Sequence, residues 1–281
     1  GPNSFAAKLV SYLDKHGVGV NVGIPDAYLC FIESSRAAYD RPMYQRLDGI
    51  YFNTIQDYNQ QNANIRRTYE MATGVVFQSQ FNKELTTKYF GQHDNSIVIH
   101  NGADLESIEK TPEFALDRYE NLWSCAASWR PHKRLHENIR YFLEHSGDND
   151  GMIVAGSVPN NEKINDTKIY YAGTLSQKQL YSLYKKSDFF VHLAWLDHCP
   201  NVVVDARACD CRIVCSSAGG TKEIAGANAI VIEEEEWDYS PVALYSPPPM
   251  DFSKKLDIGS SSEIDMLSVS KMYRDYIFGD K

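Results

Sequence analysis

No stretch of this sequence approaches the ~20 uninterrupted apolar residues that a membrane-spanning helix requires, and no charged-apolar-small pattern opens it as a secretion signal would. The expectation is a soluble, cytoplasmic protein with no indicated membrane association. Positive charge is also short: 28 Lys and Arg against 37 Asp and Glu leave a formal net charge of −9. Nucleic acid and anionic lipid are both bound through basic faces, so neither is expected as a partner. Cys30, Cys125, Cys199, Cys209, Cys211 and Cys215 include no Cys-x-x-Cys pair, the spacing that chelates zinc. Reduced thiols, the Cys209–Cys211–Cys215 group buried as small hydrophobes, are expected instead. Internal repeats and low-complexity segments are absent as well.

What is present is an alternation of short apolar runs with amphipathic patterns. The 281 residues can bury one large core or two of ~100–150 residues each. From Leu122 onward, the runs 122–128, 152–155, 168–172, 188–193, 213–215 and 229–232 read as six buried parallel strands. Between them, Leu135, Ile139, Phe142 and Leu143 share one helical face. Leu180, Leu183 and Tyr184 share another, behind the capping box Ser176-x-x-Gln179. Strands alternating with helices imply a doubly wound α/β domain.

The first hundred residues repeat this more loosely. A helix carrying Phe5, Leu9, Tyr12 and Leu13 is followed by extended 18–22, extended 43–52, helical 59–71, extended 75–78, helical 81–90 and extended 96–100. The chain opens on Gly1-Pro2 directly before a helix, so either a first strand is missing or the glycine-proline pair is a protease-cleavage remnant. Residues 103–119, polar, charged and interrupted by Pro112, read as the interdomain linker. The expected domains are 1–108, 109–250 and a C-terminal segment, 251–281. In that segment Ser260-x-x-Glu263 caps a last helix with Met266, Val269, Tyr273 and Ile277 as its apolar stripe and Gly279 as its stop.

The segment Asp197-His198-Cys199-Pro200-Asn201-Val202-Val203-Val204-Asp205 follows a strand and enters a helix through Pro200. Carboxylates at a strand's carboxyl end beside free helix N–H groups lie where open α/β sheets bind ligands. A polyhydroxy phosphate ester suits them, because carboxylates accept from sugar hydroxyls and N–H groups bind phosphate. The plainer reading makes Asp197 a helix cap and Asp205 a solvated acid.

From Asp197 to Ile224, with its small-residue helix and the Gly219-Gly220 pair, the chain resembles glycosyltransferase family 4, here with Asp-x7-Asp in place of Glu-x7-Glu. The resemblance implies an α/β GT-B fold of two facing Rossmann-like domains with parallel sheets, a shortened N-terminal one (1–108) on the acceptor side and 109–250 on the nucleotide-sugar side, with the C-terminal helix (251–281) crossing back onto the first. It implies a retaining reaction and a nucleotide-sugar donor. It also implies a sugar contact for Asp197, a ribose contact for Asp205, and backbone contacts to sugar or diphosphate from Asn201 and Val202. Aspartate shortens both arms by a methylene. The resemblance extends to a second block, Ser128-Trp129-Arg130-Pro131-His132-Lys133-Arg134-Leu135, and implies that its cations serve the leaving diphosphate. Preorganised cations there stabilise the transition state more than the ground state. Arg130 and Lys133 match best, at shorter spacing than the family's, and Arg134 could replace either. Without the resemblance, the block reads as a solvated basic surface.

Weaker matches follow the same order. The 96–104 stretch resembles the strand and turn closing the N-terminal domain. The segment with Gly173 and Leu175 resembles the strand end whose backbone meets the nucleobase in the family, and the segment with Gly1 and Pro2 resembles its first loop near sugar and acceptor. The family's N-terminal-domain histidine has no counterpart. Arg46 or Asp48, in its place, contacts sugar or acceptor, or else forms a salt bridge or turn. None of the eight histidines stands out as a general base, which fits front-face retention with the leaving phosphate taking the acceptor's proton. Asp148-Asn149-Asp150 reads as a helix-to-strand turn rather than a metal-binding pair, so no metal or other cofactor is expected. The partners expected are a nucleotide-sugar donor and a glycan or other hydroxyl acceptor. Two other readings stand beside this one: a GT-B phosphorylase or epimerase, and a catalytically inactive nucleotide-sugar-binding protein.

Overall fold

A computed structural model of the chain describes residues 2–258 and 262–279. It divides into two compact units, one of residues 1–102, 237–243 and 263–281, the other of 103–236 and 244–262.

The first unit opens with α1 (Pro2–Lys15) and continues through β1 (Tyr28–Phe31), β2 (Met43–Leu47), α2 (Tyr58–Met71), β3 (Gly74–Phe77), α3 (Gln80–Phe90) and β4 (Ser96–Val98). The four strands pair in that order, all parallel. The C-terminal helix, Met266–Phe278, completes the unit. Its Met266, Val269 and Tyr273 pack with Phe5, Leu9, Tyr12 and Leu13 of α1 and with Val76 and Ile99. This is the apolar stripe expected from the spacing, except that Ile277 is only half-buried. Asp265 caps the helix by accepting from Leu267 N–H; Ser260, the expected cap, lies outside the described residues. The extended run expected at 18–22 is a series of turns and bends, and the first strand comes later, at Tyr28. Glycine at 17, 19 and 23 disfavours a strand there.

The second unit contains α4 (Leu105–Lys110), β5 (Leu122–Ala126), α5 (Leu135–His145), β6 (Gly151–Ala155), β7 (Ile169–Gly173), α6 (Gln177–Lys186), β8 (Phe189–His192), α7 (Asn201–Ala208), β9 (Arg212–Ser216), α8 (Thr221–Ile224), β10 (Ile230–Ile232) and β11 (Lys255–Leu256). The sheet order is β11-β10-β9-β8-β5-β6-β7, parallel except for β11. Trp123, Cys125, Met152, Val154, Val191, Leu193, Val214 and Ile232 form its core with Leu135, Ile139 and Phe142 of α5. Five of the six cysteines are buried and all six are free thiols.

The expected boundaries shift in three places. The supposed linker holds α4, whose N-cap is Asp104 and whose last carbonyls accept from Lys185. Residues 237–243 belong to the first unit, where Trp237 packs on Phe52 and Phe81. Residues 251–262 remain with the second, through Phe252 against Tyr141 and through β11.

Candidate active site

The chain leaves β5 in one direction to build β6 and β7, and returns on the other side as β8 and β9. Loops at the carboxyl ends of such strands diverge at β5/β8, the topological switch point where open α/β sheets bind ligands. Both blocks singled out in the sequence emerge there, the basic one after β5 and the acidic one after β8.

The basic block folds as a 3-10 turn, Pro131–Lys133, with proline at its first position. Arg134 follows in the left-handed region (φ 51°) and leads into α5. A non-glycine residue there is strained and needs external support. Glu234 supplies it through a bidentate pair at 2.9 and 2.7 Å, with Leu193 O and Pro248 O accepting as well. The Arg134 side chain is 2% exposed, which leaves it no open face for a diphosphate, contrary to the possibility that it replaces Arg130 or Lys133. Arg130 is exposed, and among the described residues its guanidinium has no hydrogen-bond or ion-pair partner. Lys133 reaches across the switch point, its Nζ 2.5 Å from Asp197 Oδ2.

Asp197 does not cap α7; its side chain has other partners. Besides Lys133, Oδ2 lies 2.9 Å from His192 Nε2, and Oδ1 accepts from His198 N–H at 3.0 Å. Burial pushes the Asp197 carboxyl upward, but Lys133 and His192 outweigh it and hold the group well below the usual carboxylate range. The loops are also tied through the backbone: Trp195 N–H donates to His132 O, joining the β5 and β8 loops, and Gly220 N–H donates to Asp197 O, joining the β8 and β9 loops. Gly219 (φ 106°) runs so close to Asp197 that a Cβ would meet its carbonyl oxygen at 2.6 Å.

Three histidine rings surround this pair, and sequence reasoning had passed over all of them. Burial depresses His132 and His198 to about 4, with Lys133 adding to the effect. Burial also lowers His192, against the opposing pull of Asp197. The available signal was a polar residue ending the otherwise apolar strand Phe-Phe-Val-His.

Asp205 is not the solvated acid of the plainer reading. It is 2% exposed on α7 and accepts from Gln177 Nε2, at the start of α6, at 2.9 Å. Asn201 and Val202 form the first turn of α7, behind Pro200. Gly173 ends β7 at φ 70° with nothing within 4 Å of a virtual Cβ, and Leu175 is half-buried in the turn beyond.

The residues proposed for the acceptor side lie in the first unit. Gly1 is outside the described residues, and Pro2 is the first residue of α1. Arg46 is 1% exposed; it pairs with Asp48, donates to Tyr273, Gln78 and Asn101, and stacks over Phe5 at 4.2 Å. The salt-bridge alternative describes it, and a direct acceptor contact by its guanidinium is not what this burial allows. Asp150 of the Asp-x-Asp triplet binds Asn121, Trp123 Nε1 and Gly147 N–H as a turn anchor. Among the described residues, no group of three or more His, Cys, Asp or Glu side chains is gathered to hold a metal ion, and no helix is long and apolar enough to cross a membrane.

Residues 120–240 match the family model of glycosyl transferases group 1. No curated protein matches by sequence. Among solved structures, HepE from Anabaena in complex with UDP-glucose is 17% identical, with 70% of this chain and 59% of that one covered and a TM-score of 0.57. The catalytic domain of starch synthase IV from Arabidopsis thaliana, bound to ADP and acarbose, is 12% identical over 99% and 77%, with a TM-score of 0.58. AviGT4, a glycosyltransferase involved in avilamycin A biosynthesis, is 12% identical over 98% and 90%, with a TM-score of 0.59. This chain thus spans 59% of the length of the first of these. The second unit is similar, over most of its length, to the glycosyl transferases group 1, and the fold is the parallel-sheet α/β fold of the GT-B type.

Proposed function

We propose that the chain is the working part of a retaining, metal-independent glycosyltransferase that moves a sugar from a nucleotide-sugar to a glycan or other hydroxyl acceptor. The observation that carries this reading is the Lys133–Asp197 pair across the β5/β8 switch point, inside the segment matching the glycosyl transferases group 1. Cleavage of an anomeric bond to a diphosphate moves negative charge onto the β-phosphate. An exposed Arg130 and a Lys133 held by one carboxylate are cations available to that charge. Asp197, ionised, accepts from sugar hydroxyls; Asp205, buried behind Gln177, meets a ribose only once the Gln177 amide turns aside. Burial weakens the three histidines as bases, and His192 Nε2 already faces Asp197, so the leaving phosphate is the base this reading gives to the acceptor. Neighbours solved with UDP-glucose and with ADP support a nucleotide-sugar donor.

The test is thermal unfolding with UDP, GDP, ADP, TDP and CMP and their sugar conjugates, for the wild type, Arg130→Ala and Asp205→Ala. A ligand at ~100 times its dissociation constant stabilises by ~2.7 kcal/mol, or several degrees. One nucleotide family should shift the wild type, and both variants less. No shift with any nucleotide, or equal shifts in the variants, would remove the donor site from this place. Binding without turnover would favour the inactive binding protein, and turnover with phosphate or water alone the phosphorylase or epimerase.

A further inference from the structure

Asp197 Oδ2 has two partners of different character. Lys133 is a cation whose side chain is 20% exposed, and the proposed reaction gives it a second anion, the leaving phosphate. His192 is not so free. Its side chain is 5% exposed, it closes β8, and its ring lies parallel to that of Phe190 at 6.4 Å and 11°. An ionised carboxylate only accepts, and the buried ring is neutral, so the proton in the 2.9 Å contact resides on Nε2. A nitrogen committed in this way cannot also take the acceptor's proton.

When Lys133 turns toward a diphosphate, Asp197 loses its strongest compensating charge while 14% exposed. Among the described residues, the other titratable groups that Asp197 acts on are His132 and His198, and Arg130 acts on His132. Both rings are held neutral by burial, and Arg130 is solvated. We infer that His192 is a positioning residue for the transfer reaction: its Nε2–H keeps Asp197 Oδ2 fixed and ionised against the donor sugar once Lys133 has engaged the leaving phosphate. The inference rests on the transferase reading and deepens it.

The experiment follows acceptor-dependent release of nucleoside diphosphate from UDP-, GDP- and ADP-glucose, with soluble oligosaccharides as hydroxyl acceptors and a no-acceptor control, by the wild type, His192→Leu and His192→Gln, between about pH 5 and 8, with thermal unfolding of each. Leucine fills the strand end without a donor, whereas glutamine keeps an amide N–H. Wild-type kcat should stay level toward acid. The leucine variant should lose about tenfold in kcat, the scale of one hydrogen bond to a charged group, and gain an acid limb as Asp197 begins to titrate. The glutamine variant should show no such limb. In parallel, the 15N signals of the His192 ring should report the Nε2–H tautomer across the window. Identical profiles for the two variants, an Nδ1–H tautomer, or free titration of the ring near 6.5 would overturn the role of His192 and leave the transferase reading standing. A folded wild type that releases nucleotide from none of the three donors, whatever the tautomer, would overturn the transferase reading and this role with it.

Discussion

Arg130 and Arg134 bracket the same short turn and carry the same side chain, yet their surroundings demand opposite outcomes on substitution. Arg130 is exposed and Arg134 is buried in its pair with Glu234. Replacing Arg130 by Ala should leave the unfolding temperature within about a degree of the wild type and lower kcat/KM by roughly 100-fold, the scale of a lost transition-state donor. Replacing Arg134 by Ala strands Glu234 in the interior and should cost about 3–5 kcal/mol in denaturant unfolding. Equal destabilisation by the two would contradict the division of labour. Glu234 itself stands in the run Glu233 to Glu236, where nothing in the sequence distinguishes the one acid that turns inward to Arg134 and Ser216.

At the scale of elements, the loops around the site are held by backbone rather than by side chains alone. Gly219 shows this: at φ 106° and in contact with the Asp197 backbone, it admits no Cβ without moving the loop that carries the acid. Gly219→Ala should therefore lower stability by at least about 1–3 kcal/mol and depress turnover further than the stability loss accounts for. Comparison of kcat per folded molecule with the urea midpoint checks it. Six strands of the second unit were legible in the sequence because parallel strands covered on both faces read as unbroken apolar runs. β11 was not: it is two exposed residues, Lys255 and Leu256. α4 was hidden by the charge density around it, and β1 by a glycine-valine run whose apolar alternation imitates a strand. The acidic and basic blocks were legible one by one. Their pairing was not, because Lys133 and Asp197 stand 64 residues apart and only the reversal at the switch point brings them together.

For the whole molecule, the buried histidines set the response to acid. His132 and His198 have folded-state values near 4 against about 6.5 when unfolded. Between those limits the unfolded chain binds protons that the native one refuses, so stability falls as pH drops. Two such groups give a slope of about 2.7 kcal/mol per pH unit. Asp197, depressed, adds a further loss only below the ordinary carboxylate range. Stability from denaturant unfolding should be level above about pH 7 and decline steeply from 6 toward 4.5. A curve flat through that interval would mean that the rings are solvated. Removing residues 263–281 should uncover Phe5, Leu9 and Val76. Hydrogen exchange should then rise throughout 2–102 while β5, β6 and β8 stay protected.

That Met266–Phe278 completes the unit opened by α1 has a consequence during synthesis. Domains ordinarily complete themselves in the order in which they are translated. Here the first unit lacks part of its core until Met266, Val269 and Tyr273 have been made, whereas the second has all of its strands by Leu256. The ribosome thus delivers the second unit's sheet whole while α1 still waits with its apolar stripe uncovered, and that waiting segment is where a chaperone would find something to hold.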